Sequence, residues 1–325
     1  MNRFFAPGGE FSFIEALFDA SHFAKDGHGL GDDAYLLEAG GETWAVSADG
    51  SVEGIHFRLD WATPETALEK ALLSNLSDVN AMGGRASLAF LTLGALKSWD
   101  AAQVARLKET LARLEDWHGF RVAGGDTVRK DGETFFAFTV MGKIAGRPLL
   151  RSNVRPGHRL YVSGPLGRSA AGLSLYQAGK RPGQDPAFDP FLTAHDLPRP
   201  PLDLGPALAT MPGPVAAIDL SDGLSSELAH LSRQSGCRLS VEWGKLPYDE
   251  GLERLPGGGR WRDWVLHGGE EYQLLFSGDF GPGELARLSA HADIREIGTA
   301  RAGEGVGLVD GSGIERELEA AGWSH

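Results

Sequence analysis

The sequence predicts a mixed α/β protein with layered helices and sheets, divided into two domains. Short apolar strands alternate along the chain with segments whose apolar residues recur at helical spacing. The chain has 325 residues, which exceeds the length at which a single hydrophobic core usually stops growing. A stretch rich in Pro, Gly and Arg at 146–157 is typical of a domain junction, so we predict domains 1–148 and 149–325.

Two short strands are predicted near the start of the first domain. Tyr35–Leu37 and Thr43–Ser47 are apolar runs joined by a Gly-Gly turn, which is a hairpin pattern. Because paired strands are neighbours, Asp33 and Asp49 are expected to lie near each other at the strand ends.

Amphipathic helices are predicted at 11–23, Pro64–Met82 and Ala101–His118. In the second of these, Asn75 and Asp78 share a face that differs from the apolar stripe. In the third, the residues expected to face inward are Val104, Leu107, Leu111 and Leu114.

Further elements follow from the same patterns. The predicted strands are Arg121–Ala123, Thr134–Met141, Arg159–Ser163 and Val215–Ile218, and the predicted helices are Ser169–Ala178 and one that begins at Leu224. The stretch 179–201 is rich in proline and is predicted to be irregular.

Composition excludes several classes of function. A formal net charge of -13 argues against nucleic-acid binding, which needs clustered Lys and Arg. The single cysteine, Cys237, leaves no disulfide framework and indicates the cytosol. No apolar stretch is long enough to span a bilayer, and the N-terminus lacks a secretion signal, so we expect neither membrane insertion nor secretion.

The most informative residues are aspartates in glycine-rich or apolar surroundings. Converging carboxylates repel one another unless cations lie between them, so a cluster of them predicts several Mg²⁺ ions and phosphate chemistry. Asp219 follows a strand and Asp222 precedes a helix, a spacing that suits a metal clamp, with Ser221 available to a phosphate. The alternative for Ser221 or Asp222 is a simple helix cap.

Other candidates also have ordinary interpretations. Gly125 and Asp126 lie in a Gly-Gly-Asp-Thr segment that is either a phosphate site or a tight turn. Asp78 is either a metal ligand or a solvated helix residue. The sequence has neither a Gly-x-x-x-x-Gly-Lys-Ser/Thr loop nor the protein-kinase catalytic loop, so metals would hold the phosphates, assisted by Arg151 unless that residue is merely exposed.

Eight motifs in order resemble the thiamine-monophosphate kinase family. They are Gly29-Leu-Gly-Asp-Asp33, Ser47-Ala-Asp49, Val52-Glu-Gly-Ile-His-Phe57, Asn75-Leu-Ser-Asp-Val-Asn-Ala-Met-Gly83, Gly124-Gly-Asp-Thr127, Ile218-Asp-Leu-Ser-Asp-Gly-Leu224, Gly268-Gly-Glu-Glu-Tyr272 and Gly322-Trp323. The resemblance implies the two-domain fold of the aminoimidazole-ribonucleotide-synthetase superfamily, with the N-terminal domain binding ATP and Mg²⁺ and forming a homodimer. It also implies transfer of the ATP γ-phosphoryl group to thiamine monophosphate, the last step of thiamine diphosphate synthesis.

The resemblance further implies roles for individual residues. The implied Mg²⁺ ligands are Asp33, Ser47, Asp49, Asp78, Asp126, Asp219 and Asp222. The implied ATP contacts are Gly125, Asp126, Arg151 and Ser221, and the implied substrate contacts are His56, Glu270 and Trp323. No general base is expected, because a phosphate monoester with a second pKa of about 6 is already largely dianionic at neutral pH.

Three alternatives remain at this stage. One is another ATP-using member of the superfamily, such as an aminoimidazole-ribonucleotide synthetase. Another is a Mg²⁺-dependent phosphatase, in which water accepts the phosphoryl group. The third is a protein that binds divalent ions for structural reasons and has no turnover.

Overall fold

The computed structural model describes residues 13, 14 and 16–322. The helix predicted at 11–23 therefore lies partly outside the described residues. Within them, the amide of Phe18 donates to the carbonyl of Ile14 at 3.0 Å, which closes one helical turn. Ala20–His22 then form a short 3₁₀ helix.

A first sheet contains five strands in the order β1-β2-β5-β3-β4. Their bounds are β1 Tyr35–Ala39, β2 Glu42–Val52, β3 Gly84–Leu96, β4 Arg121–Lys130 and β5 Phe135–Ile144. All neighbours are antiparallel except β3 and β4, which are parallel. The predicted hairpin is confirmed, but β2 is longer than predicted, so Asp49 lies within the strand rather than at its end.

A second sheet contains seven strands in the order β12-β11-β8-β10-β6-β9-β7. Their bounds are β6 Arg159–Val162, β7 Ala216–Asp219, β8 Cys237–Glu242, β9 Leu274–Gly278, β10 Arg295–Ala302, β11 Val306–Val309 and β12 Glu315–Glu317. The strand β7 lies at one edge and ends at Asp219.

Eight helices are described in full. They are α1 Pro64–Ala81, α2 Ala101–His118, α3 Arg168–Gln177, α4 Asp189–Asp196, α5 Leu204–Ala209, α6 Leu224–Ser235, α7 Trp261–His267 and α8 Pro282–Leu288. Among the residues that the structure describes, no helix combines the length and the apolar character needed to cross a membrane.

The helix α1 occupies the centre of the molecule. Proline at its first position and the Thr63 side chain, which accepts from the amide of Thr66 at 3.2 Å, fix its start. One side packs on β2, β3 and β5, and another contacts β7 and α5. Apolar residues from both halves of the chain, including Leu72 and Leu208, therefore share one core. A separate core lies within the second half.

The helix α2 has its predicted bounds but not all of its predicted inward residues. Leu107 and Leu114 are buried against α1, and Leu111 is partly buried. Val104 is 55% exposed, because the buried face of the helix runs through its neighbour Gln103, which donates to Glu65 of α1 at 3.0 Å. The helix ends at Gly119, whose φ of 72° suits glycine.

Two other predictions need correction. The stretch 179–201 was predicted to be irregular, yet it contains α4, which has Pro190 in its first turn. The Gly-Gly-Asp-Thr segment continues β4 instead of forming a turn after a short strand. Gly125 has a φ of +147°, and a Cβ there would lie 1.8 Å from the carbonyl oxygen of Leu91 on β3.

The positions of the two sheets bear on the domain boundary. The strands of the first sheet lie within 35–144, and those of the second within 159–317. The division at 148/149 stays a prediction, since α1 joins both halves in one core.

We expect Gly125→Ala to lower the free energy of unfolding by at least about 2 kcal/mol, because the methyl group meets the β3 backbone and the positive φ is strained. Chemical denaturation of the purified variant measures this. Gly244→Ala is the control, since a Cβ there has no atom within 4 Å. Equal stability of the two variants would contradict the close approach of β3 and β4.

Candidate functional site

Three carboxylates from distant parts of the chain meet beside α1. Asp33 precedes β1, Asp78 lies in the last turns of α1, and Asp219 ends β7. One oxygen from each lies within 4.8 Å of the others. The structure thus brings together three of the aspartates that the sequence analysis singled out.

Serine hydroxyls orient these carboxylates. Ser47 donates to Asp78 Oδ2 at 2.5 Å, and Ser77 donates to Asp219 Oδ2 at 2.6 Å. Asp49 faces α1 from β2 and accepts from Ser74 at 3.0 Å. Each hydroxyl leaves further carboxylate lone pairs available, because an ionised carboxylate accepts about four hydrogen bonds.

The cluster carries more negative charge than its neighbours balance. Burial, followed by the charges of Asp219 and Asp49, raises the pKa of Asp78 well above its usual value. Burial, followed by the charge of Asp33, likewise raises the pKa of Asp219. The nearby guanidinium of Arg151 is bound to Asp33 by contacts of 2.8 and 3.3 Å. The remaining carboxylates would be stabilised by a cation.

The donor atoms suit Mg²⁺. All of them are oxygens, which Mg²⁺ prefers, and they come from carboxylates and a hydroxyl. The buried Oδ2 of Asp32 has no hydrogen-bond partner within the described part of the chain. Burial raises the pKa of Asp32 to about 6, although the Arg151 amide, which donates to its other oxygen, opposes this. The residues present therefore fit a hard divalent cation.

Ser221 and Asp222 line the same cavity as Asp33 and Asp78 of the aspartate trio. The N-cap of α6 is Gly223, so the proposal that Ser221 or Asp222 occupies the cap position is wrong. Glu227, in the first turn of α6, accepts from the Asp222 amide at 3.1 Å. Burial, followed by the charge of Asp222, raises the pKa of Glu227.

Two cavities adjoin at His56 and Glu270. The acidic cavity has a volume of about 700 Å³, and its lining carboxylates include Asp33, Asp49, Asp78 and Asp222. The second has a volume of about 780 Å³ and includes Trp61 and Tyr176, whose rings stack with centroids 4.8 Å apart. His56 and Glu270 line both cavities, so a ligand with a charged end and an aromatic end fits across the junction.

Glu270 is held by two side chains that the sequence analysis did not identify. Its Oε1 lies 2.7 Å from Nζ of Lys70, and its Oε2 lies 3.4 Å from Nδ1 of His195. Its φ of 60° is unusual for a residue with a side chain. Burial would raise the pKa of Glu270, but the interactions with Lys70, His195 and His56 together outweigh it and the pKa is lowered.

The missed residues on α1 do leave a signal in the sequence. Lys70, Ser74 and Asp78 are spaced four residues apart, and Ser77 lies beside them, in a helix that is otherwise mostly apolar. Polar residues at this spacing share one face, which marks a polar stripe directed at a site.

Asp126 does not join the trio within this chain. Across the sheet, Asp126 pairs with Thr92, Thr92 with Ala137, and Ala137 with Gly50. Asp49 is the neighbour of Gly50 on β2, so its side chain points to the other face. Asp126 and Asp49 are therefore on opposite faces, three strands apart, or about 14 Å at the usual strand spacing. Asp126 is exposed and accepts from the Thr127 amide at 2.8 Å.

The remaining predicted residues are placed as follows. Gly125 lies next to Asp126 on β4, away from both cavities. Arg151 lies at the aspartate trio, where Nη1 also donates to the Gly31 carbonyl at 3.0 Å. Trp323 lies outside the described residues.

Comparisons with known proteins agree with one another. Residues 31–144 match the family model for AIR synthase related protein, N-terminal domain. A thiamine-monophosphate kinase of Mycobacterium tuberculosis is 36% identical over 299 residues, which cover 91% of this chain and 84% of that protein. Another, from Salmonella typhimurium, is 37% identical over 274 residues, covering 83% and 82%. The solved structure of AaThiL complexed with AMPPCP and TMP has a TM-score of 0.81 and 26% identity, covering 98% of this chain and 96% of that one.

We expect Asp219→Asn to raise the free energy of unfolding of the metal-free protein by about 1 to 2 kcal/mol at pH 8. The change removes one of several repelling charges and keeps an acceptor for Ser77. Saturating Mg²⁺ should stabilise the unchanged protein by about 2.7 kcal/mol at a hundredfold excess over Kd, and the variant by much less.

Thermal and chemical unfolding with and without Mg²⁺ measure both effects. Asp293→Asn is the control, because Asp293 is exposed and pairs with Arg295. A variant that is less stable without metal, or that gains as much from Mg²⁺, would contradict the metal cluster.

Proposed function

We propose the following reaction for this chain, which belongs to the thiamine-monophosphate kinase family: the γ-phosphoryl group of ATP passes directly to the phosphate of thiamine monophosphate, giving thiamine diphosphate and ADP. The observation that carries the proposal is the aspartate trio, two members of which line an acidic cavity that adjoins an aromatic cavity at His56 and Glu270. One cavity suits phosphates with their metals, and the other suits aromatic rings.

The chemistry asks the protein for positioning and charge compensation. The acceptor phosphate is largely dianionic at neutral pH, so its oxygen attacks without a general base. The difficulty is to bring two polyanions together in line, which is an electrostatic and geometric problem. A site built from carboxylates, with no catalytic triad assigned, matches that requirement.

The metal ligands that we propose are Asp33, Asp78, Asp219, Asp49, Asp222 and Ser47. Mg²⁺ bound there would neutralise phosphate charge and supply Lewis-acid assistance. Among the chain's own residues, Ser74 and Ser77 hold two of the carboxylates in place through hydroxyl hydrogen bonds. Arg151 holds Asp33, and we propose that it and Ser221 also contact the ATP phosphates.

The substrate would lie across the junction of the two cavities. The thiazolium ring of thiamine is permanently cationic, and the Glu270 carboxylate is a suitable partner for it. His56 accepts from the Val52 amide through Nδ1 at 3.1 Å, which places the proton of the neutral ring on Nε2. The role of Trp323 as a substrate contact stays part of the proposal.

We also propose a homodimer formed through the first sheet. The face of this sheet opposite α1 carries Val52 and Phe90, each 38% exposed, and Val128, 45% exposed. An apolar sheet face is normally covered by another layer. Asp126 and Gly125 lie on the β4 edge of this sheet, so their predicted roles with metal and ATP would be exercised at the site of a second copy.

Two alternatives make different chemical predictions. A Mg²⁺-dependent phosphatase would release inorganic phosphate from ATP without thiamine diphosphate. An aminoimidazole-ribonucleotide synthetase would require a different acceptor, and the aromatic cavity next to Glu270 favours a cationic ring. We place the reaction in the cytosol, because the single cysteine, Cys237, is buried and unpaired.

We expect the purified protein to convert ATP and thiamine monophosphate into equal amounts of ADP and thiamine diphosphate in the presence of Mg²⁺. Free thiamine is tested as the acceptor in a parallel assay. Asp49→Asn and Asp222→Asn should each lower kcat at least about 100-fold without loss of fold, because each removes a metal ligand. Chromatography of the products measures the rates, and Asp293→Asn is the matched control. Near-normal rates in both variants would contradict the shared-metal site.

We expect the protein to sediment with the mass of two chains, and Phe90→Asp to dissociate it, because a carboxylate would be buried in the proposed interface. Analytical ultracentrifugation measures this. Val104→Asp is the control, since Val104 is equally apolar and 55% exposed on α2, away from that face. A monomer before mutation would contradict the dimer.

A further inference from the structure

Lys70 is a buried lysine behind the junction of the two cavities; it lines neither cavity but contacts His56 and Glu270, which line both. Its side chain is 7% exposed, which is unusual for a residue that normally keeps its ammonium group in water. The side chain of Lys70 extends from α1, in the first half of the chain, to Glu270 in the second half. Its Nζ lies 2.7 Å from Oε1 of Glu270. It crosses the boundary between the halves where the substrate is proposed to lie.

The same ammonium group also holds the His56 segment. Nζ of Lys70 donates to the main-chain carbonyl of His56 at 3.1 Å. The imidazole of His56 is oriented separately by the Val52 amide at 3.1 Å. One charged group on a buried helix therefore holds two residues at the junction, the backbone of His56 and the carboxylate of Glu270.

The other close partner of Glu270, His195, does not supply a positive charge. Burial, followed by the charge of Lys70, lowers the pKa of His195 to about 3. His195 is therefore neutral at physiological pH and contributes a polar contact rather than a counter-charge. The ionised partner of the Glu270 carboxylate is Lys70.

Stability alone does not explain such a pair. A buried ion pair is often no more stabilising than a well-packed apolar pair of similar size, because both charges must be desolvated. Removing one partner alone leaves the other charge uncompensated. The pair is better explained by its effect on the cavities. It holds the Glu270 carboxylate at a defined position beside the proposed site of a cationic ring.

We propose that Lys70 is a positioning residue for substrate recognition, which fixes Glu270 and the His56 backbone so that the site selects a cationic ring. The inference rests on the proposed function and extends it to a residue that is not among the proposed metal, ATP or substrate contacts. It is consistent with the place of Lys70 on the stripe of α1 that carries Ser74 and Asp78.

The test is a double-mutant cycle with Lys70→Met, Glu270→Gln and the combined variant. We expect Lys70→Met to raise KM for thiamine monophosphate about tenfold or more, with kcat and KM for ATP within about twofold. In the Glu270→Gln background the same change should raise KM by a much smaller factor, because the carboxylate is already neutral and only the contact with the His56 carbonyl is still lost. The combined variant removes both buried charges and is expected to fold.

Two further measurements separate positioning from a merely structural role. Lys70→Arg keeps the charge and should recover most of the lost affinity. Calorimetric binding of thiamine monophosphate should weaken more in Lys70→Met than binding of the phosphate ester of the corresponding neutral thiazole alcohol, because only the cation benefits from an aligned carboxylate. Lys97→Met, which breaks an exposed ion pair with Asp131, is the control.

The outcomes are distinguishable from those of the proposed reaction. If the unchanged protein forms no thiamine diphosphate, the proposed function fails. If it does, but Lys70→Met raises KM equally in both backgrounds, or weakens both ligands equally, Lys70 does not act through Glu270 and the inference is overturned.

Discussion

The central constraint in this structure is the burial of α1 on two sides. One side packs on the first sheet and another contacts the edge strand of the second, so polar side chains on this helix must find partners within the protein. A buried polar group without a partner costs several kcal/mol. Lys70, Ser74, Ser77 and Asp78 meet that requirement by reaching residues from other elements, and those partners are the candidate site residues. The contacts that pack α1 into the protein are thus the same contacts that assemble the site.

The acidic cluster does not follow this pattern of balanced polar contacts. Asp78 and Asp219 have raised pKa values because burial and mutual repulsion disfavour their charged forms, while the Arg151 guanidinium is bound to Asp33. A fold selected only for stability would replace such carboxylates with amides or apolar groups. Their retention is understandable if the ions and phosphates that they receive compensate the charge, which makes the strained charge distribution a preparation for binding.

The sequence predicted the layered α/β fold and most element positions, because helical and strand periodicities are local. Its Asp motifs singled out the three aspartates that meet in the structure. It did not predict that β4 continues through Gly125, because the need for glycine arises from the approach of β3, a contact distant in sequence. For the same reason it did not separate Asp126 from Asp49: their distance depends on strand order. Lys70 was missed because its partner, Glu270, lies 200 positions away, although its spacing from Asp78 was visible.

The same helix also sets the distance between two kinds of recognition. Lys70 and Asp78 are eight residues apart, which is about 12 Å along an α-helix. The Lys70 end orients the carboxylate beside the aromatic cavity, and the Asp78 end belongs to the acidic cavity. Because a buried helix can neither stretch nor slide without disturbing its packing, this spacing is fixed before any ligand binds. In the proposed function, a substrate with a cationic ring and an anionic end would have to span this fixed distance, so its selection would follow from helix geometry rather than from flexible loops.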